Sequence, residues 1–349
     1  MSGNQTVFHY RIGVSVKQYK VGIVGIGAVG TEMVKVLRQR QFPCSEIRVM
    51  ARSARTEEIA GEKFNVVETE ASAFDGLDFA FFAGTEGAKG ASQVYGWEAV
   101  KRGAIVIDNG DDYRMDPRVP LVVPEINPEA LKGHQGFISN PNCSTIIALM
   151  AVGPLHRAAG LRRMVATTYQ AVSGTGRQAI LELEQQLKDY VEGKPLVHDV
   201  YPHQILLNVL PQIGGLKADM PGFTSEEAKL LFETRKILGD DRIRVCSTCV
   251  RVPVLNGHSE AINLEFERPL SVEEARQLLS RAKGVQLVDD TAKAAYPMPI
   301  NISGGDDCQV GRIRLDPSTE NGLCLFVSGD NIRKGAALNA VQIAEALIA

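Results

Sequence analysis

Gly25-Ile26-Gly27-Ala28-Val29-Gly30 restricts the possible folds of this chain more than any other stretch. It follows Tyr19 to Val24, an apolar run that reads as a buried parallel strand. It opens an amphipathic helix reaching about Gln39, with Met33, Val34, Val36 and Leu37 on the apolar side. Glycines between a strand and a helix let the backbone approach a pyrophosphate, and the helix start offers it free N–H groups. Gly25, Gly27, Ala28, Val29 and Gly30 are therefore candidate contacts to a dinucleotide. The next strand, Glu46 to Met50, ends in Ala51-Arg52-Ser53 rather than in an acidic residue that would grip a ribose 2′-hydroxyl. Arg52 and Ser53 suit a 2′-phosphate, which favours NADP over NAD.

The alternation continues with a strand at Leu77 to Ala83, a helix at Ala88 to Arg102 and strands at Ala104 to Asp108 and Gly136 to Ser139. Strands separated by such helices make a Rossmann-like parallel sheet covered on both faces. The loops Gly84-Thr85-Glu86-Gly87 and Asn109-Gly110-Asp111-Asp112 lie at strand C-termini, where ligands of such sheets bind. Beyond Cys143 the pattern changes. Strand-like runs at Arg163–Val172, Ile243–Val252, Ser259–Phe266, Gln309–Leu315 and Leu323–Ser328 mix with helical stretches at Arg177–Glu192, Ser225–Leu238 and Ser271–Lys283. This is an α+β domain with a mixed or antiparallel sheet, whose outer face would make a dimer surface. The organisation expected is an extension at 1–18, a cofactor domain at 19–142 completed by a helix at 331–349, and a catalytic and dimerisation domain at 143–330.

Cys143 stands where a short strand gives way to a helical pattern, after Asn140-Pro141-Asn142 and before Ser144-Thr145. Helix-start residues place free N–H groups and the positive dipole end near the sulfur, which favours a thiolate nucleophile. The six cysteines lack the tight spacing of a disulfide scaffold. Cys246 and Cys249 form a CxxC, but on a strand, where residues three apart face opposite ways. The 38 basic and 41 acidic residues, net charge -3, form no long run of either sign, which excludes a nucleic-acid or anionic-lipid partner. The longest apolar run, Ile146–Val152, is too short to span a membrane. A cytoplasmic small-molecule enzyme is expected.

With these residues laid out, the chain from Tyr19 onward resembles the aspartate-β-semialdehyde dehydrogenase family. The blocks that carry the likeness are Ser139-Asn140-Pro141-Asn142-Cys143-Ser144-Thr145, Thr168-Tyr169-Gln170-Ala171-Val172-Ser173-Gly174, Val250-Arg251-Val252-Pro253 with Gly257-His258, and Lys334-Gly335-Ala336-Ala337-Leu338-Asn339. The resemblance implies NADPH-dependent reductive dephosphorylation of L-aspartyl-4-phosphate through a thioester on Cys143, toward lysine, threonine and methionine. It implies His258 as acid/base group, with Gln170 and Asn142 orienting the intermediate. Arg251 would bind the substrate carboxylate, Glu226 or the adjacent Glu227 its amine, and Lys229 and Arg114 the phosphate. Ser173, Gly174, Asn331 and Gln342 would add cofactor contacts, and the assembly would be a homodimer or homotetramer.

Two loops depart from the family. Gly110-Asp111-Asp112 stands where two serines usually follow the asparagine, and the glycine turn is one residue short. Carboxylates near a phosphate site repel the phosphate unless they point away. A related reductase of another acyl phosphate, such as N-acetyl-γ-glutamyl phosphate, and a non-catalytic cofactor-binding paralogue are the other readings.

Overall fold

The computed structural model describes residues 17–84 and 90–349. Most of the expected N-terminal extension, Thr85-Glu86-Gly87 and the expected helix start at Ala88 lie outside the described residues. In the first half, β1 (Tyr19–Val24), α1 (Ala28–Gln39), β2 (Cys44–Ala51), β3 (Arg55–Ile59), β4 (Glu62–Glu68), β5 (Phe79–Phe82), α2 (Ala91–Lys101), β6 (Ile105–Asp108) and β7 (Phe137–Ser139) follow in order. They build a sheet of order β3-β4-β2-β1-β5-β6-β7. Every pairing in it is parallel except that of β3 with β4. The last four residues of β1 and all of β5 are buried, as a strand covered on both faces requires.

The β3–β4 hairpin is a structural addition to the sequence reading. Its strands, Arg-Thr-Glu-Glu-Ile and Glu-Lys-Phe-Asn-Val-Val-Glu, carry charges suited to a sheet edge instead of an apolar run. The available signal was the turn: Ala60 and Gly61 both take positive φ, at 54° and 81°.

The second half begins with α3 (Cys143–Ala159), followed by β8 (Leu161–Gln170), α4 (Arg177–Val191), α5 (Ser225–Leu238), β9 (Arg244–Arg251) and β10 (His258–Phe266). Next come α6 (Val272–Ser280), β11 (Val285–Leu287), the one-turn α7 (Pro299–Ile302), β12 (Cys308–Leu315), β13 (Gly322–Gly329) and α8 (Leu338–Ile348). The sheet order is β11-β12-β13-β10-β8-β9. It is mixed: β8 with β9 and β11 with β12 run parallel, the rest antiparallel.

Helix α3 is apolar on all sides and Ile146–Val152 are fully enclosed, the condition of a helix inside a core. It packs on the inner face of the second sheet together with residues of α5 and α6. The outer face carries Tyr169, 40% exposed, with its ring 6.1 Å from that of Phe326. At the chain end, Leu338, Val341, Ile343 and Ala344 of α8 join Val21, Ile23, Met33 and Val34 in one core, so the last helix closes the first sheet. A π-helical turn, Arg333–Ala337, leads into it and presses against α3.

Candidate active site

A cavity of about 850 Å³ opens where β1, β5 and β6 end. Val24, Phe82 and Asp108, the last residues of those strands, line it together with Gly25, Gly27, Ala28 and Val29. Gly27 starts α1 without any side-chain cap, and the first turn carries no acidic residue, so its N–H groups suit an anion. Gly30 serves packing instead: a methyl group there would sit 1.9 Å from the Gly25 carbonyl oxygen, so only glycine lets α1 lie this close to the turn. Arg52 lines the mouth as expected. Ser53 does not; its carbonyl accepts from Arg55 Nη1 at 3.1 Å, and Arg55 is the second arginine of the rim. Sequence reasoning missed Arg55 because it lies on the unread hairpin. The far end of the cavity is formed by Ser173, Gly174, Thr175, Gly176 and Arg177 beyond β8.

That end touches the second cluster. A methyl group on Gly174 would come within 3.1 Å of both Arg251 Nη1 and His258 Nε2. Arg251 closes β9 and is 5% exposed; its Nη1 donates to the Ala171 carbonyl at 2.6 Å, while its Nε has no partner among the described residues. A buried guanidinium with an unused N–H is matched to an incoming carboxylate. His258 opens β10 and is fully buried. Its Nδ1 accepts from the Ala171 N–H at 3.0 Å, and its Nε2 has no partner among the described residues. Burial and the nearby Arg251 charge hold its pKa well below the usual histidine range.

Asn142 caps α3, its Oδ1 accepting from the Ser144 and Thr145 N–H groups at 2.9 and 3.3 Å. Its Nδ2 donates to Glu226 Oε1 at 2.9 Å, and Gln170 Nε2 donates to the same oxygen at 3.1 Å. Glu227 completes the capping box of α5 with Thr224 and accepts from the Cys249 N–H, while Glu226 faces Asn142 and Gln170. Cys143, the first residue of α3, lies against Gly335, where a methyl group would be 2.9 Å from its Cβ. The thiol is pushed up to about 12 by burial, with Glu226 adding to the shift and Arg251 and Arg114 opposing it. The easy ionisation expected of a helix-start cysteine is thus overruled: desolvation and a carboxylate outweigh the free N–H groups.

The proposed phosphate cations are already engaged. Arg114 pairs with Glu233 at 3.0 Å inside the protein and donates to the Asn109 carbonyl at 2.7 Å. Glu233 also accepts from the Asn142 N–H at 2.7 Å, tying Arg114 to the start of α3. Sequence reading overlooked Glu233, although its spacing from Glu226 and Lys229 places it on the same face of α5. Lys229 Nζ lies 3.0 Å from Asp111 and 3.7 Å from Glu226. Asp111 therefore points toward the cation, and Asp112 accepts from Ser92 and Gln93 in the first turn of α2.

Asn331 and Gln342 do not line the cavity. Asn331 Oδ1 accepts from the Gly257 N–H at 2.9 Å and from Ser173 Oγ at 3.2 Å, so it supports the loops that carry His258 and Gly174. Gln342 bonds to Lys334 at 2.8 Å and Glu125 at 3.0 Å, within a buried network behind α3. Cys246 is exposed and Cys249 buried, on opposite faces of β9.

Models of the semialdehyde dehydrogenase family match both halves: its NAD binding domain at residues 20–134 and its dimerisation domain at 152–334. The aspartate-semialdehyde dehydrogenase of Synechocystis sp. is 47% identical over 335 residues, 94% of this chain and 97% of the relative. The chain belongs to the aspartate-semialdehyde dehydrogenase family. Among solved family members, aspartate semialdehyde dehydrogenase II of Vibrio cholerae, complexed with ASA, superposes with a TM-score of 0.90 at 40% identity, covering 95% of this chain and 99% of that one. The Candida albicans enzyme with NADP superposes at 0.70 with 25% identity, covering 95% and 98%.

The family implies NADP(H), and the residues present fit it. The uncapped α1 start and the glycine turn suit a pyrophosphate, and Arg52 and Arg55, both lining the cavity, are cations that would suit a 2′-phosphate. No helix among the described residues is long and apolar enough to cross a membrane.

Proposed function

We propose that the chain catalyses the NADPH-dependent reductive dephosphorylation of L-aspartyl-4-phosphate to L-aspartate 4-semialdehyde through a thioester on Cys143. The observation that carries this reading is the pair of buried nitrogens, Arg251 Nε and His258 Nε2, without a partner among the described residues at the inner end of the dinucleotide cavity. Arg251 matches the α-carboxylate of the substrate and Glu226 its ammonium. An N-acylated amine carries no charge and would leave Glu226 without a counter-ion, so an N-acetylated acyl phosphate fits this site less well.

In the acyl step, the Cys143 sulfur attacks the acyl carbon and phosphate leaves. Lys229 and Arg114 receive the phosphate, Lys229 by exchanging its Asp111 contact for a phosphate oxygen. When bound, the dihydronicotinamide supplies the hydride that reduces the acyl carbon. Asn142 and Gln170, both held by Glu226 Oε1, fix the geometry around the thiol. We further infer a homodimer formed through the outer face of the second sheet around Tyr169 and Phe326, acting in the cytoplasm.

The reading is tested by reduction of NADP+ with aspartate semialdehyde and phosphate, followed at the nicotinamide absorbance. Turnover should require phosphate and disappear on thiol alkylation and in Cys143→Ala, while NADPH affinity persists. Phosphate-independent turnover, or turnover retained in Cys143→Ala, would overturn it.

A further inference from the structure

Helix α4 begins on the dinucleotide cavity. Gly176, which precedes it, takes φ 104°, a conformation suited to glycine, and the helix start has neither a side-chain cap nor an acidic residue in its first turn. Arg177, the first residue of α4, lines the cavity and is exposed. Its guanidinium has no hydrogen bond or ion pair among the described residues. The other charged residues of the lining, Arg52, Arg55, Glu68 and Asp108, belong to the first sheet and its loops, and Arg55 already pairs with Glu57 at 2.8 Å. Arg177 is thus the charged lining residue that comes from beyond β8.

The ground under Arg177 is fixed. Ser173 N–H donates to the Leu255 carbonyl at 3.2 Å, Asn331 Nδ2 donates to Ser173 Oγ at 3.0 Å, and Tyr201 Oη donates to Thr175 Oγ1 at 2.8 Å. Ala179 and Leu183 of α4 pack with Val172, Ile205 and Leu206. A guanidinium rooted on such an element and not engaged elsewhere is suited to a phosphate, which it can grip with two N–H groups. Three residues earlier, Gly174 lies against Arg251 and His258, so the turn that carries Arg177 also borders the reacting end. Arg52 and Arg55 stand at the mouth. A dinucleotide laid from that mouth to Gly174 has its pyrophosphate at the glycine turn between them, and the pyrophosphate is the anion nearer to Arg177.

We propose that Arg177 binds the cofactor pyrophosphate from the side of the second sheet, so that the start of α1 and the start of α4 share one anion, and that it adds affinity without adding to the choice of NADP over NAD. The second part follows from chemistry, because the pyrophosphate is common to both dinucleotides and the 2′-phosphate is not. The proposal rests on NADP(H) as the occupant of the cavity.

Titration of the full-length protein with NADPH and with NADH, followed by nicotinamide fluorescence, tests it. Arg177→Gln should raise both dissociation constants on the order of tenfold and leave their ratio unchanged. Arg177→Lys, which keeps the charge, should recover most of the loss. Arg52→Gln is the contrast: it should weaken NADPH alone and so collapse the ratio. An NADPH dissociation constant unmoved in Arg177→Gln would overturn the proposal, as would a loss confined to NADPH, which would assign Arg177 to the 2′-phosphate. A Lys variant as weak as the Gln variant would deny that the charge is what Arg177 supplies. If the wild type bound neither dinucleotide, the cofactor reading itself would fall, and the proposal with it.

Discussion

Cys143 sits between opposing charges: Glu226 and burial raise its pKa, while Arg251 and Arg114 lower it. Removing the carboxylate charge in Glu226→Gln therefore favours the thiolate. Iodoacetamide should label Cys143 on the order of tenfold faster near pH 8, with the pH profile displaced downward. An unchanged profile would exclude Glu226 as an influence on the thiol. On the proposed reading, substrate binding would take part in activation, because an ammonium on Glu226 would offset the charge that holds the thiol protonated. Asp111 acts on the phosphate side. If Lys229 binds phosphate as proposed, its contact with Asp111 must yield first, so Asp111→Ser should lower the KM for phosphate several-fold with kcat little altered. A raised KM would show that Asp111 helps to hold the cation in place.

At the scale of elements, the position of Cys143 depends on how α3 starts and on what lies behind it. Lys334 and Glu125, with side chains 1% and 5% exposed, pair at 2.6 Å and share Gln342 as a partner, while Lys334 also donates to Asn339. Lys334→Met leaves the Glu125 carboxylate buried without its cation, which costs about 3–5 kcal/mol. Thermal unfolding should show a large drop in Tm, and Lys334→Met combined with Glu125→Leu should recover most of it. If the double variant is no more stable than the single one, the lysine holds the fold by packing alone. The sequence made α3, α5 and the parallel strands legible because their signals are local: apolar runs, Asn142 and Thr224 as caps, and Gly239 in the left-handed region after α5. The β3–β4 hairpin and its Arg55 escaped because edge strands are polar. The hydrogen-bond partners of Asn331 and Gln342 escaped because Gly257 and Ser173 for one, Lys334 and Glu125 for the other, are far away in sequence. The elevated pKa of Cys143 was equally out of reach, since desolvation is set by the whole fold.

At the scale of the molecule, the outer face of the second sheet carries Tyr169 one residue before Gln170, so any interface there lies directly behind the site. Tyr169→Asp places a charge on that face and should shift the protein toward monomers in light scattering, with loss of activity. A dimer unaffected by the change would put the interface elsewhere. The measurement closest to the central claim is a single-turnover reaction of aspartate semialdehyde with NADP+ in the absence of phosphate. The thioester account predicts a burst of reduced cofactor stoichiometric with active sites, with the aspartyl group recovered by peptide mass spectrometry on Cys143. No burst, or an acyl group on another residue, would contradict it.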